Sequence, residues 1–204
     1  MNLEFNQSRQ VVYLSDEIAE WTTMFGSNMM DSGELAYLAA TLAAYPWDGK
    51  GIVVEIGAYR GSTSVFMAKV LQHFGHRVPI LSIDPFERVA RSPTNPQGKY
   101  AAYLKTVRKH KMEDVCLPLV ALSKDAALVV PATVGVLVVD GGHEHAVVSQ
   151  DLRDYVPKIL PGGFILIDDY ETYAEVTRAV DEYFMNAPEF TIVHRSYFVV
   201  GQRR

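Results

Sequence analysis

Apolar residues fall into two rhythms along this chain. Near-continuous apolar runs of four to six residues recur at 52–56, 78–83, 115–120, 134–139 and 164–167, most of them rich in Val and Ile. Runs of this length, apolar on both faces, predict strands of a parallel sheet covered by helices on each side. Between them the spacing changes to three and four residues, which predicts helices over 64–74, 98–112, from 123 onward, from about 145 to 160, and over 172–185. Two further short runs, 190–194 and 197–200, close the chain around the turn at Arg195-Ser196. Pro161-Gly162-Gly163 predicts a tight turn before the fifth strand. Ahead of the first strand, Leu14, Ile18, Trp21 and Met24 place a helix over 11–25, and Gly26-Ser27-Asn28-Met29-Met30 breaks it. Asp31 with Glu34 three residues on is a capping box, opening a helix over 35–44 that Pro46 ends. Strand and helix in alternation predict an α/β fold, a doubly wound sheet. The two leading helices are additions to it, placed to cover the ligand cleft, a sheet face or a dimer surface. No repeat, linker or second domain is visible. One domain over 1–204 is expected, with a helical cap (1–46) and a core (47–204).

The turn after the first strand organises the rest. Gly57 and Gly61 allow a sharp bend and close approach of a ligand, and Ser62 or Thr63 is placed to cap the following helix. Such a turn at the carboxyl end of a parallel strand is where open α/β sheets bind nucleotide-like ligands. It is not a P-loop, because no Lys follows Gly61. Nor is it G-x-G-x-x-G, because Tyr59 stands where the second glycine belongs, so a pyrophosphate has no room against the backbone. What remains is a cradle for a nucleoside without phosphates, with the Glu55 carboxylate beneath it. The second strand ends at Asp84, near the offset at which ribose-binding acids occur. The alternative is a turn aspartate before Pro85. Ser123 is placed either to reach an adenine or to cap its own helix.

Composition narrows the partners. The 204 residues are 49% apolar and 21% charged, with a net charge of −5 and a pI near 5.7. That balance argues against a binder of phosphate backbones. Lys99, Lys105, Arg108, Lys109, His110 and Lys111 crowd one helix, which reads more simply as a solvated face than as a nucleic-acid site. Cys116 is the single cysteine, so no intrachain disulfide forms and a reducing cytoplasm is the expected home. Residues 1–10 are polar and carry no leader signature. No apolar run approaches the ~20 residues needed to span a bilayer. The stretch 89–97, with Ser92-Pro93-Thr94-Asn95-Pro96, is a loop, either a lid or a surface excursion.

The chemistry is expected at two other strand ends, Asp140 and Asp168-Asp169. On neighbouring parallel strands these ends lie ~4.8 Å apart. Carboxylates gathered so closely repel one another unless a cation sits among them, and Mg²⁺ suits such an oxygen-rich site. The alternative is that one or two of them cap the following helices. His143 lies three residues beyond Asp140 and is placed to take a proton from a substrate hydroxyl. The alternatives are a metal ligand and a plain helix start. His145 reads as a surface residue. Trp21, Met24, Phe25, Met29 and Met30 are candidates for an apolar acceptor pocket, or for plain core.

The pieces Val54-Glu55-Ile56-Gly57 to Gly61-Ser62-Thr63-Ser64, Ser82-Ile83-Asp84, Val139-Asp140-Gly141-Gly142-His143, Asp151-Leu152, Leu160-Pro161-Gly162-Gly163 and Asp168-Asp169-Tyr170 come in an order that resembles class I S-adenosylmethionine-dependent methyltransferases. Within that class they resemble the small-molecule O-methyltransferases related to the macrocin and mycinamicin sugar methyltransferases and to the cephalosporin-biosynthesis protein CmcI. The resemblance spans about 31–170. It implies a Rossmann-like sheet of seven strands with the last one antiparallel. It implies S-adenosylmethionine at Glu55, Gly57, Ala58, Tyr59, Gly61, Ser62 and Thr63, with further contacts from Asp84 on the ribose, Ser123 and Asp140. It implies Mg²⁺ at Asp140, Asp168 and Asp169. Some members carry a second acid two residues after the first metal ligand and use it as base. Here that position is Gly142, so the base role falls to His143, to another group, or to the metal alone. The expected function is methylation of a hydroxyl on a small molecule such as a sugar, phenol, catechol or other natural product. A dinucleotide-dependent oxidoreductase and a catalytically silent binding module are the alternatives.

Overall fold

The computed structural model of the chain describes every residue except 6, 7, 9, 27–29 and 87–97. The loop read at 89–97 therefore lies outside the described residues. The chain opens with a hairpin of β1 (Asn2–Phe5) and β2 (Gln10–Tyr13), then α1 (Asp16–Phe25) and α2 (Ser32–Ala44). The core follows as β3 (Ile52–Ile56), α3 (Ser62–His73), β4 (Ile80–Asp84), α4 (Gly98–Lys109), β5 (Cys116–Val120), α5 (Ser123–Ala126), β6 (Val134–Val139), α6 (His145–Tyr155), β7 (Ile159–Ile167), α7 (Ala174–Phe184), β8 (Phe190–Arg195) and β9 (Val199–Arg203). Seven strands form one sheet in the order β5-β4-β3-β6-β7-β9-β8. The first five are parallel, and β9 runs antiparallel to both its neighbours, β7 and β8. This is the expected Rossmann-like methyltransferase architecture.

The strand pattern explains the layering. Successive side chains point to opposite faces, so Val53, Val136, Val138, Phe164 and Leu166 bury against α1, α2 and α3. Their neighbours Val54, Ile56, Leu137, Val139, Ile165 and Ile167 bury against α6 and α7. All six residues of β6, the central strand, are buried.

Four local expectations are corrected. The stretch 11–25 is not one helix. Its first residues pair as β2 with β1, and α1 starts only after Ser15, whose hydroxyl accepts the Ile18 N–H at 3.3 Å. Residues 1–10 are polar in sum, but Leu3 and Phe5 alternate inward and are buried. The helix expected to run to 160 ends at Tyr155, where a single 3₁₀ turn containing Pro157 precedes β7. Pro157 has no N–H to continue the α-helical ladder. Pro161-Gly162-Gly163 lies inside β7 rather than before it: Val134 pairs with Ile159 and Val136 with Phe164, and the surplus residues bulge out through Gly162 at φ 78°. Finally, Gly61 at φ 80° is the N-cap of α3, with no side-chain cap, so Ser62 and Thr63 sit in the first turn instead. By contrast, Asp31 and Glu34 form the full capping box on α2.

The carboxyl ends of the strands are stitched together one residue past the regular ladder. Gly57 N–H donates to Ile83 at 2.9 Å, Asp140 N–H to Ile56 at 2.9 Å, and Asp168 N–H to Val139 at 3.0 Å. Gly57, at φ 94°, presses so closely on β6 that a Cβ would lie 1.7 Å from the Asp140 carbonyl oxygen. Gly57→Ala should therefore cost at least about 3 kcal/mol in urea unfolding. Gly49→Ala, at φ 88° with nothing within 4 Å of the added Cβ, should cost only about 1–2 kcal/mol. Equal losses would mean that positive φ, not the contact with β6, is what Gly57 supplies.

Candidate active site

The glycine turn is held by Asp84. Its Oδ2 accepts the Tyr59 N–H at 2.8 Å and its Oδ1 the Phe86 N–H at 2.6 Å. Asp84 is thus a turn aspartate, the bland reading of its position, and its carboxylate stands beside the turn as the ribose role also requires. Tyr59 adopts φ 45°, a left-handed conformation that favours glycine. Arg60 lies 5.0 Å and Lys99 4.8 Å from the centroid of its ring. Ala58 is buried beside it.

Glu55 sits beneath the turn, 1% exposed. The Ser64 hydroxyl donates to its Oε2 and lies 3.0 Å from the Ser82 hydroxyl. Burial raises the Glu55 carboxyl to about 7, although the serine hydroxyls favour the charged form and Asp84 adds repulsion. Tyr103, from α4, fills the space that Gly61 leaves, its ring 2.8 Å from where a Cβ would stand. Its hydroxyl is buried near Ser82 and Ser64, and no hydrogen bond of good geometry reaches it from the described residues. Burial pushes the neighbouring Cys116 thiol up to about 12. Ser64 and Ser82 were not singled out in the sequence. Their one signal was a hydroxyl in otherwise apolar, buried elements.

The three strand-end aspartates do come together. Asp140 is held well above the ordinary carboxylate range, first by burial and then by Asp168, Asp169, Glu55 and Glu34. Asp168 is 5% exposed, and its Oδ1 accepts the N–H of Asp169 at 2.7 Å. Asp169 sits at φ 62° and is raised by burial and Asp168. His143 opposes that rise: its Nε2 lies 2.8 Å from Asp169 Oδ2. The His143 ring also stacks on Tyr173, with centroids 4.1 Å apart and planes 17° apart.

A fourth acid joins them. Glu34 on α2 is 5% exposed, lies close enough to Asp168 to be raised by it, and accepts the Asp31 N–H at 2.6 Å. Burial and Asp168 raise it to about 9. The sequence marked Glu34 only as the second half of a capping box. It serves as that and meets Asp168 as well. Tyr197 in the β8–β9 turn donates to Asp31 Oδ2 at 2.9 Å, which ties the end of the chain to the same corner.

Carboxylates of this number suit a hard divalent cation in donor chemistry. In the arrangement described, however, Asp168 is engaged by Glu34 and Asp169 by His143. Among the described residues no three His, Cys, Asp or Glu are set around one point to hold an ion.

The remaining candidates are scattered. Ser123 opens α5, but Leu122 is the cap. Ser123 lies near Asp151, a buried carboxyl raised to about 6 chiefly by burial, and favours its charged form. His145 bonds Glu182 at 2.8 Å and joins α6 to α7, away from the acids. Trp21 packs edge-on to His73, Phe25 on Phe66, and Met30 lies in the core, whereas Met24 is exposed. Met29 lies outside the described residues. No helix among them is long and apolar enough to cross a membrane.

A parallel sheet of this order, with a glycine turn after its first core strand and acids at the tips of three others, defines the class I methyltransferase architecture. The chain belongs to the methyltransferase domain family, which it matches over residues 54–170, and is an S-adenosylmethionine-dependent methyltransferase. Among solved structures it is similar to the O-methyltransferase NovP, at 22% identity and TM-score 0.69, over 86% of this chain and 81% of that one. It is also similar to the methyltransferase PaMTH1 of Podospora anserina, solved with S-adenosylhomocysteine, at 15% identity and TM-score 0.65, over 92% and 86%. An rRNA methylase of Streptococcus thermophilus matches at 14% identity and TM-score 0.60, over 84% and 95%. No curated protein matches the chain.

The raised Glu55 carboxyl makes stability depend on pH. Its unfolded counterpart ionises near pH 4.5 and the folded one near 7, so in that window the folded state keeps a proton the unfolded state has lost. Glu55 therefore contributes stability at low pH that is lost as pH rises through about 7. Glu55→Gln should flatten thermal stability between about pH 4.5 and 7. An unchanged slope would assign the pH dependence to other groups.

Proposed function

We propose that this methyltransferase moves the methyl group of S-adenosylmethionine onto a hydroxyl of a small-molecule acceptor in the cytoplasm, assisted by Mg²⁺ at Asp140, Asp168 and Asp169. The observation that carries the reading is the meeting of these three acids, with His143 on Asp169, at strand tips adjoining the glycine turn. A hard cation bound there would supply Lewis-acid lowering of the hydroxyl pKa.

The chain's own residues supply position and a proton acceptor. Asp84 and the backbone of residues 57–59 shape the donor cradle, with Glu55 beneath it. Asp169 engages His143 at Nε2, which leaves Nδ1 as the nitrogen to receive the hydroxyl proton. Tyr173 stacked on the ring fixes its plane. Holding acceptor oxygen and methyl carbon at near-attack distance supplies most of the gain. The NovP likeness agrees with an O-methyl product. The acidic balance of the chain and its carboxylate-lined site favour a small acceptor over RNA.

The first test is binding. S-adenosylhomocysteine should raise the melting temperature and NAD should not; the reverse result would make this a dinucleotide enzyme. With a panel of catechol, phenol and sugar acceptors, exhaustive chelation should abolish methyl transfer. Asp168→Asn should weaken Mn²⁺ binding, read by electron paramagnetic resonance, while S-adenosylhomocysteine affinity stays unchanged. Full turnover after chelation removes the metal from the scheme. His143→Ala should lower kcat by roughly 10²–10⁴ and flatten the acidic limb of its pH profile. An unaltered limb assigns the base elsewhere.

A further inference from the structure

The charge on this protein is unevenly placed. Residues 98–112 carry five Lys or Arg and no Asp or Glu, whereas the rest of the chain carries fourteen against twenty-four. The structure puts most of these cations on α4, and three of them on one side of it. Ala101, Leu104, Lys105, Arg108 and Lys109 line a single shallow groove. Their spacing of three and four residues is that of neighbours on a helix face.

Lys105, Arg108 and Lys109 are exposed. No salt bridge among the described residues involves any of the three, although Lys50, Arg77, Arg178 and Arg195 all pair with acids. The local field is positive. His110, next on the helix, is lowered by burial and then by Lys109 and Lys69. Ala101 and Leu104, the latter partly packed on the core, add an apolar edge one turn before the cations.

The same helix reaches the cofactor turn. Tyr103 packs on Gly61, Lys99 lies over Tyr59, and Tyr100 and Tyr103 meet Phe86 at 5.3 and 5.4 Å. At about 1.5 Å per residue, Arg108 lies roughly 14 Å along the helix from Lys99. Whatever binds this face binds close to the methyl donor's end of the molecule.

We propose that this face of α4 is a docking surface for an acidic amphipathic segment of a partner protein. A stripe of apolar side chains rimmed by carboxylates would meet Ala101 and Leu104 with its apolar part, and Lys105, Arg108 and Lys109 with its rim. Charge complementarity selects the partner: a cationic face on a protein of net charge −5 attracts a local acidic surface and rejects the wider basic ones. Single-stranded nucleic acid fits less well, because the described residues that line this groove include no aromatic ring on which a base stacks. The whole-chain charge also opposes a polyanion that extends past the patch.

The test uses the full chain and a fluorescein-labelled amphipathic peptide with glutamates flanking a leucine stripe, with binding followed by fluorescence anisotropy. The peptide should bind at low ionic strength and weaken as salt rises. The combined variant Lys105→Glu, Arg108→Glu, Lys109→Glu should bind it at least about tenfold less tightly, with unchanged S-adenosylhomocysteine affinity as the check on folding. Leu104→Ser, which keeps every charge, should weaken it as well. Lys50→Glu, on another face, should not. Equal binding by the combined variant, or by a peptide with glutamine in place of glutamate, overturns the proposal. Tighter binding of a single-stranded RNA of the same length overturns it in favour of nucleic acid. Self-association of the unmodified chain that the combined variant abolishes, seen by light scattering, overturns it in favour of a second copy. None of these readouts requires methyl transfer, so failure of the proposed reaction would leave them interpretable.

Discussion

Three backbone hydrogen bonds, from Gly57 to Ile83, from Asp140 to Ile56 and from Asp168 to Val139, set the terms for everything around the site. They extend the parallel ladder one residue past the strands. The first residues to leave the sheet are therefore still held at the spacing of neighbouring strands, ~4.8 Å. The Asp140 and Asp168 side chains grow from backbones that cannot part. Their repulsion is a direct consequence of topology, and burial strengthens it because the surroundings screen charge poorly. A sheet designed only for stability would place valine or serine there. The fold instead concentrates like charge where it costs most, and such placement marks sites of function more often than of structure.

Gly57 shows how a correct reading of a residue can rest on an incomplete reason. In the sequence, its missing Cβ suggests close approach of a ligand. In the structure, the close approach is that of the chain itself: the Asp140 carbonyl occupies the space a Cβ would need. Glycine is required there before any ligand arrives, because β3 and β6 could not otherwise stay paired up to their tips. The strands, their order and the acids at their ends were legible for the same reason. A parallel strand buried on both faces is apolar along most of its length, with Glu55 and Ser82 as the exceptions, and β4, β6 and β7 each run out at an aspartate. The β1–β2 hairpin was not read from the sequence, since the alternation of Leu3 and Phe5 spans only four residues, too few to stand out from a polar leading segment. The bulge at Pro161-Gly162-Gly163 was misread as a turn because the same residues serve both, and only the pairing with β6 decides between them.

Glu34 was hidden differently. A capping box accounts fully for an acid at the third position of a helix, so the residue offered no excess to explain. In the structure one carboxyl oxygen can satisfy the cap while the group also reaches Asp168. The added helix α2 is thereby tied to the tip of β7, and through Asp31 and Tyr197 to the turn between β8 and β9. The first and last parts of the chain meet at the acids. The sequence weighed α2 as cover for a cleft, a sheet face or a dimer surface. Its buried leucines pack on the sheet, so it covers a sheet face, and its first turn lies beside Asp168.

Under the proposed function, Tyr59 is the residue that bears on which cofactor the turn accepts. A non-glycine residue in the left-handed region costs about 1–2 kcal/mol. The surroundings over-determine it: Asp84 accepts its N–H, and Arg60 and Lys99 lie within about 5 Å of its ring. A glycine would relieve the strain and would also open the backbone to a pyrophosphate, as in dinucleotide sites. A tyrosine at this position withholds that opening. On the proposed reading, the retained strain therefore favours a nucleoside that carries a sulfonium and an amino acid over one that carries phosphates. Asp84, proposed as the ribose acid, would serve either class, so the discrimination would fall to the residue between the two glycines.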